Sequence, residues 1–435
     1  MQKQKILILG AGGGREHSLG WKISQSPQAG EMFFAKGNPG TAQIGTNLDI
    51  KETDFPVLVE FANSRKIDLV CVVSDDLLAL GAVDEFRKAG FRVWGPTKAA
   101  SEIEWSKAFS KDFMERHNLP TAKFKTFTDF EKAKEYVATG EMPIVIKADG
   151  LALGKGVVIA QTLSEANEAL ENMMVKKIFG NSGNEVVIEE FLVGPEISIH
   201  ALSDGVNYKM FPTSQDHKRV GEGDNGPNTG GMGVIGPLPF VDVEMLNRIE
   251  KEIISPTIKA MSNDGIPFEG ILYPSLMLTK DGPKIIEFNS RFGDPECQVY
   301  MRLLDSDLLE IINSCVDKKL NVQEIKWKKV FACNIAVASG GYPGAYEKGK
   351  IITGIGDAEQ IENVVVFHAG TTHSTSSGQE NNNLVTNGGR VLGISTTGET
   401  LEGALKTAYD AVSKISFEGM QYRHDIGKSA LEMIK

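Results

Sequence analysis

Residues 147–156 read KADGLALGKG, with the apolar run PIVIK ending at Lys147 and GVVIA beginning at Gly156. Both flanks are rich in β-branched residues, so the stretch reads as a glycine-rich turn joining two strands. Glycine lets a backbone approach a phosphate closely, and lysine neutralises it. A P-loop would need four residues between its glycines, a Ser or Thr after the lysine, and a strand-to-helix setting. Here three residues separate Gly150 from Gly154, and Gly156 follows Lys155. The segment predicts another nucleotide-phosphate architecture: a hairpin flap with Lys147 at its base and Gly154, Lys155 and Gly156 at its far end.

The rest of the chain bounds what such a flap can serve. At 435 residues it exceeds one compact core, and two to four domains are expected. Hydrophobic content of 41% and charged content of 24% are ordinary for a globular protein. A net charge of −11 argues against a nucleic-acid binder, whose phosphate contacts need a basic surface. No apolar run approaches the ~20 residues of a membrane helix, and the N-terminus lacks a signal-peptide pattern. Cys71, Cys297, Cys315 and Cys333 form no CxxC pair. They read as reduced thiols of a cytoplasmic protein rather than zinc ligands.

Strand and helix signals alternate over the first hundred residues, from KILILG to FRVWG. This predicts a parallel α/β domain over 1–102. A second domain is expected over 103–330. It opens with one helix from Ser101 to Asn118 and contains a small lid unit at roughly 122–194. A final α+β unit is expected over 331–435.

Four further segments carry candidate chemistry. In KIIEFNSRFGDPE, 284–296, strand alternation puts Glu287, Asn289 and Arg291 on one face. Glu and Asn oxygens suit Mg²⁺, and an arginine fork suits a carboxylate or phosphate. In VVIEEFLVGPEIS, 186–198, Glu189 can accept from an adenine amino group, beside Glu190. The backbone of Phe191 and Leu192 can read the ring edge, and Glu196 the ribose. The loop GAGGGREH, 10–17, lacks the third glycine of a dinucleotide fingerprint, but a helix N-terminus suits a single phosphate. The loop Gly37–Thr41 would lie beside it. The tract GEGDNGPNTGGMG, 221–233, reads as an ordered active-site loop. Lys107 is a further candidate cation, and Asp216 gains interest from its place just before that loop.

Taken together, GREHSLGWK, GPTKAASEIEWSKAFSKDFM, IVIKADGLALGKGVVIA, IEEFLVGPEIS, SQDHKRVGEGDNGPNTGGMG, IIEFNSRFGDPECQ and FEGMQYRHDIG resemble the ATP-grasp superfamily. Within it they resemble the phosphoribosylamine–glycine ligases, over essentially the whole chain. Pro274 and Ser275, Cys297, and the residues after GGMG depart from the commoner wording of that family. The resemblance implies an ATP-grasp α/β fold with a Rossmann-like N-terminal domain, a lid subdomain and a C-terminal α+β domain. It implies ligation of glycine to 5-phosphoribosylamine with ATP and Mg²⁺, or Mn²⁺ in its place. Lys107 and Lys147 would hold phosphates, Glu287 and Asn289 the metal, and Arg291 the acyl phosphate. Asp216 or Asp294 would take the glycine ammonium. Gly12, Gly13, Gly14, Arg15, Asn38, Pro39, Gly40 and Thr41 would meet the ribosyl phosphate, with Asn228, Thr229 and Gly230 also lining the substrate. The partners expected are these small molecules, with no membrane and a monomer sufficient. A different ATP-grasp ligase, or a nucleotide sensor without turnover, are the competing readings.

Overall fold

The computed structural model describes residues 3–150, 156–374 and 383–434. The strand Gln4–Leu9 lies at the centre of a parallel sheet whose order is Thr46–Leu48, Ala29–Ala35, Gln4–Leu9, Leu69–Val72, Val93–Trp94. Its residues alternate between two cores, as the two-residue period of a strand requires. Leu7 and Leu9 pack with Leu58 and Phe86 of the covering helices. Ile6 and Ile8 instead share a core with Phe292, Tyr300 and Leu309, far along the chain. The N-terminal sheet is thus sealed on one face by helices Glu296–Leu303 and Leu308–Val316. Strand order reverses at Gln4–Leu9, which puts a crevice at the carboxyl ends of the strands.

Two antiparallel sheets follow. The first has the order Phe124–Phe127, Val186–Glu190, Ile144–Ala148, Val157–Ala160. Helices Phe130–Thr139 and Leu163–Leu170 cover it through Ala133, Val137, Ala166 and Leu170. This is the expected flap: Ile144–Ala148 pairs directly with Val157–Ala160, and Ala148 donates to the Gly156 carbonyl at 2.8 Å. Gly154 and Lys155 lie outside the described residues. The second sheet is built on the long strand Glu269–Thr279, paired with Glu196–Ser198, Ala201–Asp204 and Gly282–Asn289. The unpaired run from Phe191 to Pro195 links the two sheets.

The last sheet has the order Gln215–Asp216, Gly233–Gly236, Phe331–Ser339, Arg390–Gly398, Val364–His368, with Met420–Gln421 also on Phe331–Ser339. Two of these strands precede residue 331. The glycine-rich tract between them is therefore strung from the C-terminal sheet, although sequence order places it with the middle of the chain. Ile335 and Val391 share one core with Leu272 and Ile285, so the two units pack as a continuous body.

The single helix expected from Ser101 to Asn118 is two helices, Lys98–Trp105 and Lys107–Arg116. Ser106 breaks them with extended backbone, and its hydroxyl accepts from Phe109 N at 3.0 Å. Serine is a strong N-cap, and Asp149 adds a second acceptor for Ala108 N at 3.0 Å. The apolar periodicity continues through the break, which hides it in the sequence. Among the described residues no helix is long and apolar enough to cross a membrane.

Candidate active site

Between the flap sheet and the central sheet lies a cleft lined by alternating charges. Lys147 is the penultimate residue of the flap strand Ile144–Ala148, where burial of Ile146 and Ala148 anchors it. Its Nζ lies 2.9 Å from Glu189 Oε1 and donates to the Ile286 carbonyl at 3.1 Å. Lys107 stands at the first position of its helix because Ser106 caps there, and it donates to the Gly150 carbonyl at 2.8 Å. Lys218 lies 2.5 Å from Glu196 Oε1 and 3.7 Å from Glu287 Oε1. Ser275 also donates to Glu196, at 2.6 Å.

Glu287 is the focus of these cations. Burial pushes its carboxyl up, but Lys218, Lys147 and Lys107 outweigh burial and hold it below the ordinary carboxylate value. Conversely, burial lowers Lys107, against the pull of Glu287. For Lys218 burial works the same way, but Glu196 and Glu287 prevail and raise it. An ionised carboxylate whose nearest cation is 3.7 Å away keeps its oxygens open for a hard cation. Asn289 can stand beside it: its Oδ1 accepts from Arg291 Nη2 at 3.1 Å and retains a second lone pair. Among the described residues no group of three or more His, Cys, Asp or Glu forms a metal cluster. The Glu287 and Asn289 oxygens are a hard donor pair of the kind Mg²⁺ takes, since that ion keeps waters and substrate phosphates in its shell.

Several expected contacts are redirected by packing. Arg291 lies past the end of the strand Gly282–Asn289, and its guanidinium turns into the protein. It pairs with Glu104 at 2.9 Å, approaches Asp75 at 4.0 Å, and leaves only Nε without a partner. Burial opposes its charge, yet Glu104 and Asp75 raise its pKa. The expected free fork for an acyl phosphate is thus already held by carboxylates. Glu189, expected to accept from adenine, is buried between Lys147 and Lys111, which lies 3.1 Å from its Oε2. Glu190 accepts from Lys123 N at 3.0 Å and Lys284 Nζ at 3.1 Å. Phe191, exposed, and Leu192, half-buried, lie on the linking run between the two sheets.

The N-terminal loops are also fuller than their glycines suggest. Gly13 caps the helix Gly14–Ile23, and Glu16 folds back to accept from Gly13 N at 2.7 Å and Ala11 N at 3.4 Å. Arg15 N donates to Asp294 Oδ2 at 3.4 Å, while its guanidinium binds Glu16 and the Phe292 carbonyl. The Asn38 Oδ1 accepts from Gly40 N and Thr41 N, and its Nδ2 donates to the Gly12 and His368 carbonyls. Thr41 Oγ1 accepts from Asn38 N and donates within the loop. Gly12, Gly14 and Pro39 complete the rim. Carboxylate and amide oxygens of the protein thus already accept from several of the amides expected to face a phosphate. Glu16, three residues after Gly13, supplies only the returning half of a capping box, since glycine has no side chain to accept in exchange.

Asp216 and Asp294 occupy different sides of the glycine-rich tract. Asp216 is half-buried, with its Oδ1 buried and unpartnered among the described residues, and desolvation together with Glu296 pushes its carboxyl well above the ordinary value. Asp294 faces the N-terminal loops: Gln298 donates to its Oδ1 at 2.8 Å. Burial pushes Asp294 up, but Arg390 and Arg15 hold it below the ordinary value. Between them runs the tract itself. Asn228 pairs with Arg219 in a short hairpin, Thr229 Oγ1 donates to the Lys218 carbonyl at 2.8 Å, and Gly230 N donates to the Tyr342 hydroxyl at 3.0 Å. Gly231 has φ +111°, and a Cβ there would stand 2.5 Å from Asp216 Oδ1 and from Pro295. The structure thus adds Lys218, Lys111, Glu104 and Arg390 to the residues legible beforehand. Lys218 was visible in SQDHKR; the other three carry no local signal.

A flap sheet and a central antiparallel sheet closing on a lysine- and carboxylate-lined cleft define an ATP-grasp enzyme. The chain belongs to the phosphoribosylglycinamide synthetase family. The family's N domain matches residues 4–104, its ATP-grasp (A) domain 105–297 and its C domain 332–429. The chain is 47% identical over 430 residues to the phosphoribosylamine–glycine ligase of Vibrio parahaemolyticus, covering 98% of each chain. It is 46% identical over 429 residues to that of Yersinia pestis, covering 98% of this chain and 99% of the other. The crystal structure of the Thermotoga maritima phosphoribosylamine–glycine ligase superposes with a TM-score of 0.84 at 34% identity, covering 97% and 99%.

Proposed function

We propose that this chain ligates glycine to 5-phosphoribosylamine with ATP, giving glycinamide ribonucleotide, ADP and phosphate in de novo purine synthesis. The observation that carries the reading is Glu287, an ionised carboxylate surrounded by Lys107, Lys147 and Lys218, in a chain matched end to end by relatives of that name. A carboxylate is a poor electrophile, so it must first be activated. A glycine carboxylate oxygen attacks the γ-phosphorus, the bond to the bridging oxygen breaks, and ADP departs, leaving glycyl phosphate. The amine nitrogen of phosphoribosylamine then attacks the carbonyl carbon, loses a proton, and phosphate leaves.

Phosphoryl transfer needs alignment and charge neutralisation more than covalent help. Lys107 and Lys147 hold the phosphates from the helix and flap sides. Mg²⁺, or Mn²⁺, held on Glu287 and Asn289 would supply further neutralisation of the transferred group. Lys218 keeps Glu196 and Glu287 in place, and Glu196 is set to receive the ribose. The linking run at Phe191 and Leu192 offers its backbone to the adenine edge. Asp216, with a buried oxygen lacking any donor, is suited to the glycine ammonium: an arriving cation supplies its missing partner. Phosphoribosylamine would approach Asp294 along the rim of Gly12–Arg15 and Asn38–Thr41. The flap excludes water from an acyl phosphate that hydrolyses easily. Four buried free thiols support a cytoplasmic setting.

The test is ADP release with glycine, freshly prepared phosphoribosylamine and Mg²⁺. Release above the single-substrate controls is expected. Release no greater than those controls, or equal with another carboxylate in place of glycine, would sink the reading.

A further inference from the structure

Arg390 begins a strand of the C-terminal sheet, yet its guanidinium reaches out of that domain. Nη1 donates to the Gly230 carbonyl at 2.5 Å, to the Gly231 carbonyl at 3.3 Å, and to the Asp294 carbonyl. Nη2 lies 3.5 Å from Asp294 Oδ2. One side chain thus ties the glycine-rich tract to the loop 291–295 that follows the strand bearing Glu287. Tyr342, also of the C-terminal unit, holds Gly230 from the other side through its hydroxyl. A Cβ at Gly230 would stand 3.0 Å from the Arg390 guanidinium, so the tract and the arginine are in tight contact there.

A single oxygen of Asp294, Oδ2, lies near Arg390, accepts from Arg15 N and stands 3.3 Å from where a Gly13 Cβ would be. It therefore stands at the meeting point of all three parts of the chain, on the side of the N-terminal rim. Asp216, across Gly231, stands on the other.

We propose that Arg390 is a positioning residue of the transfer half-reaction: it fixes the Asp294 carboxylate and the Gly230–Gly231 backbone as the wall that orients phosphoribosylamine. This rests on the ligase reading above and gives the C-terminal domain a part in it. Arginine suits the task because its planar fork fixes several acceptors at once, which a lysine point charge cannot do. By this reading ATP is held by Lys107, Lys147 and Glu287, none of which Arg390 bonds, so the consequence is selective for phosphoribosylamine over ATP.

The test is initial-rate kinetics of wild type, Arg390→Gln and Arg390→Lys, varying each of the three substrates. In Arg390→Gln the KM for phosphoribosylamine should rise about tenfold or more, the effect of losing one charge-assisted contact, while the KM for ATP stays within about twofold. Added guanidinium should restore part of the loss, and Arg390→Lys should fall between. An unchanged KM for phosphoribosylamine, or all three constants worsening together, would overturn the proposal. If Arg390→Gln shows no cooperative melt, Arg390→Lys is judged by the same split. Absence of turnover in wild type would refute the ligase reading; turnover without the split refutes this inference alone.

Discussion

The buried triad Lys111–Glu189–Lys147 allows a quantitative prediction. Both lysines and the glutamate are at most about one-twentieth exposed, at 3%, 4% and 5% of their side-chain surface. The triad carries a net positive charge in a region of low dielectric. Burial lowers Lys111 from 10.5 to about 8, against the pull of Glu189 and with the push of Lys147. At roughly 1.4 kcal/mol per pH unit, the charged Lys111 costs the folded lid about 3 kcal/mol at neutral pH. Because the native lysine loses its proton first, the unfolded state binds more protons between pH 8 and 10.5. Stability therefore rises with pH across that window, the full cost being present below it and gone above it. Lys111→Met removes this cost and leaves a neutral Glu189–Lys147 pair. It also strips one partner from Glu189 Oε2, a loss of about 1–3 kcal/mol. The two terms nearly cancel, so the variant should match wild type within about 1–2 kcal/mol at pH 7 and lose the alkaline rise. Glu189→Gln strands two buried ammonium groups and should cost about 3–5 kcal/mol. Hydrogen exchange of strands Ile144–Ala148 and Val186–Glu190, corrected for intrinsic rates at each pH, reads the lid's stability directly. A loss of ~3 kcal/mol or more in Lys111→Met, or an alkaline rise that persists in it, would refute the reasoning.

Three shorter predictions concern the catalytic cleft. Glu287→Ala should lower kcat by about 10²–10³ or more while circular dichroism and the melt stay near wild type, since the cleft loses its carboxylate but no core contact; near-normal turnover would remove Glu287 from the site. Ser106→Ala should destabilise its helix by about 1 kcal/mol and raise the KM for ATP, because the cap also sets where Lys107 begins; urea unfolding and kinetics read the two effects separately. Gly231→Ala should impair glycine use more than ATP binding, because its φ of +111° and the 2.5 Å approach to Asp216 leave no room for a Cβ; a normal glycine KM would count against Asp216 as the ammonium site.

Much of the architecture was legible because it is local. The flap around Lys147, the parallel βα alternation and the strand carrying Glu287 and Asn289 follow from period, turn residues and β-branched runs. Asn289 and Glu287 are two apart, so alternation alone puts them on one face. What the sequence left undecided shares one cause. Arg291, Glu189, Asn38 and Arg15 have side chains that suit a ligand, but each is claimed by a partner that sequence order keeps far away: Phe292 for Arg15, His368 for Asn38. Ser106 differs, since the cap was visible but continuous apolar periodicity masked it.

By itself, the sequence determined the fold class, the lysine flap and the placing of Glu287 and Asn289 on one strand face, for these rest on backbone preferences and the two-residue period of a strand. Only the tertiary structure decided which charges are free. Lys107, Lys147 and Lys218 come from separate elements to surround Glu287, and Arg390 crosses from the last domain to Asp294. A long side chain spans several ångströms, so its partner depends on which strands and helices pack beside it, and that packing is long-range.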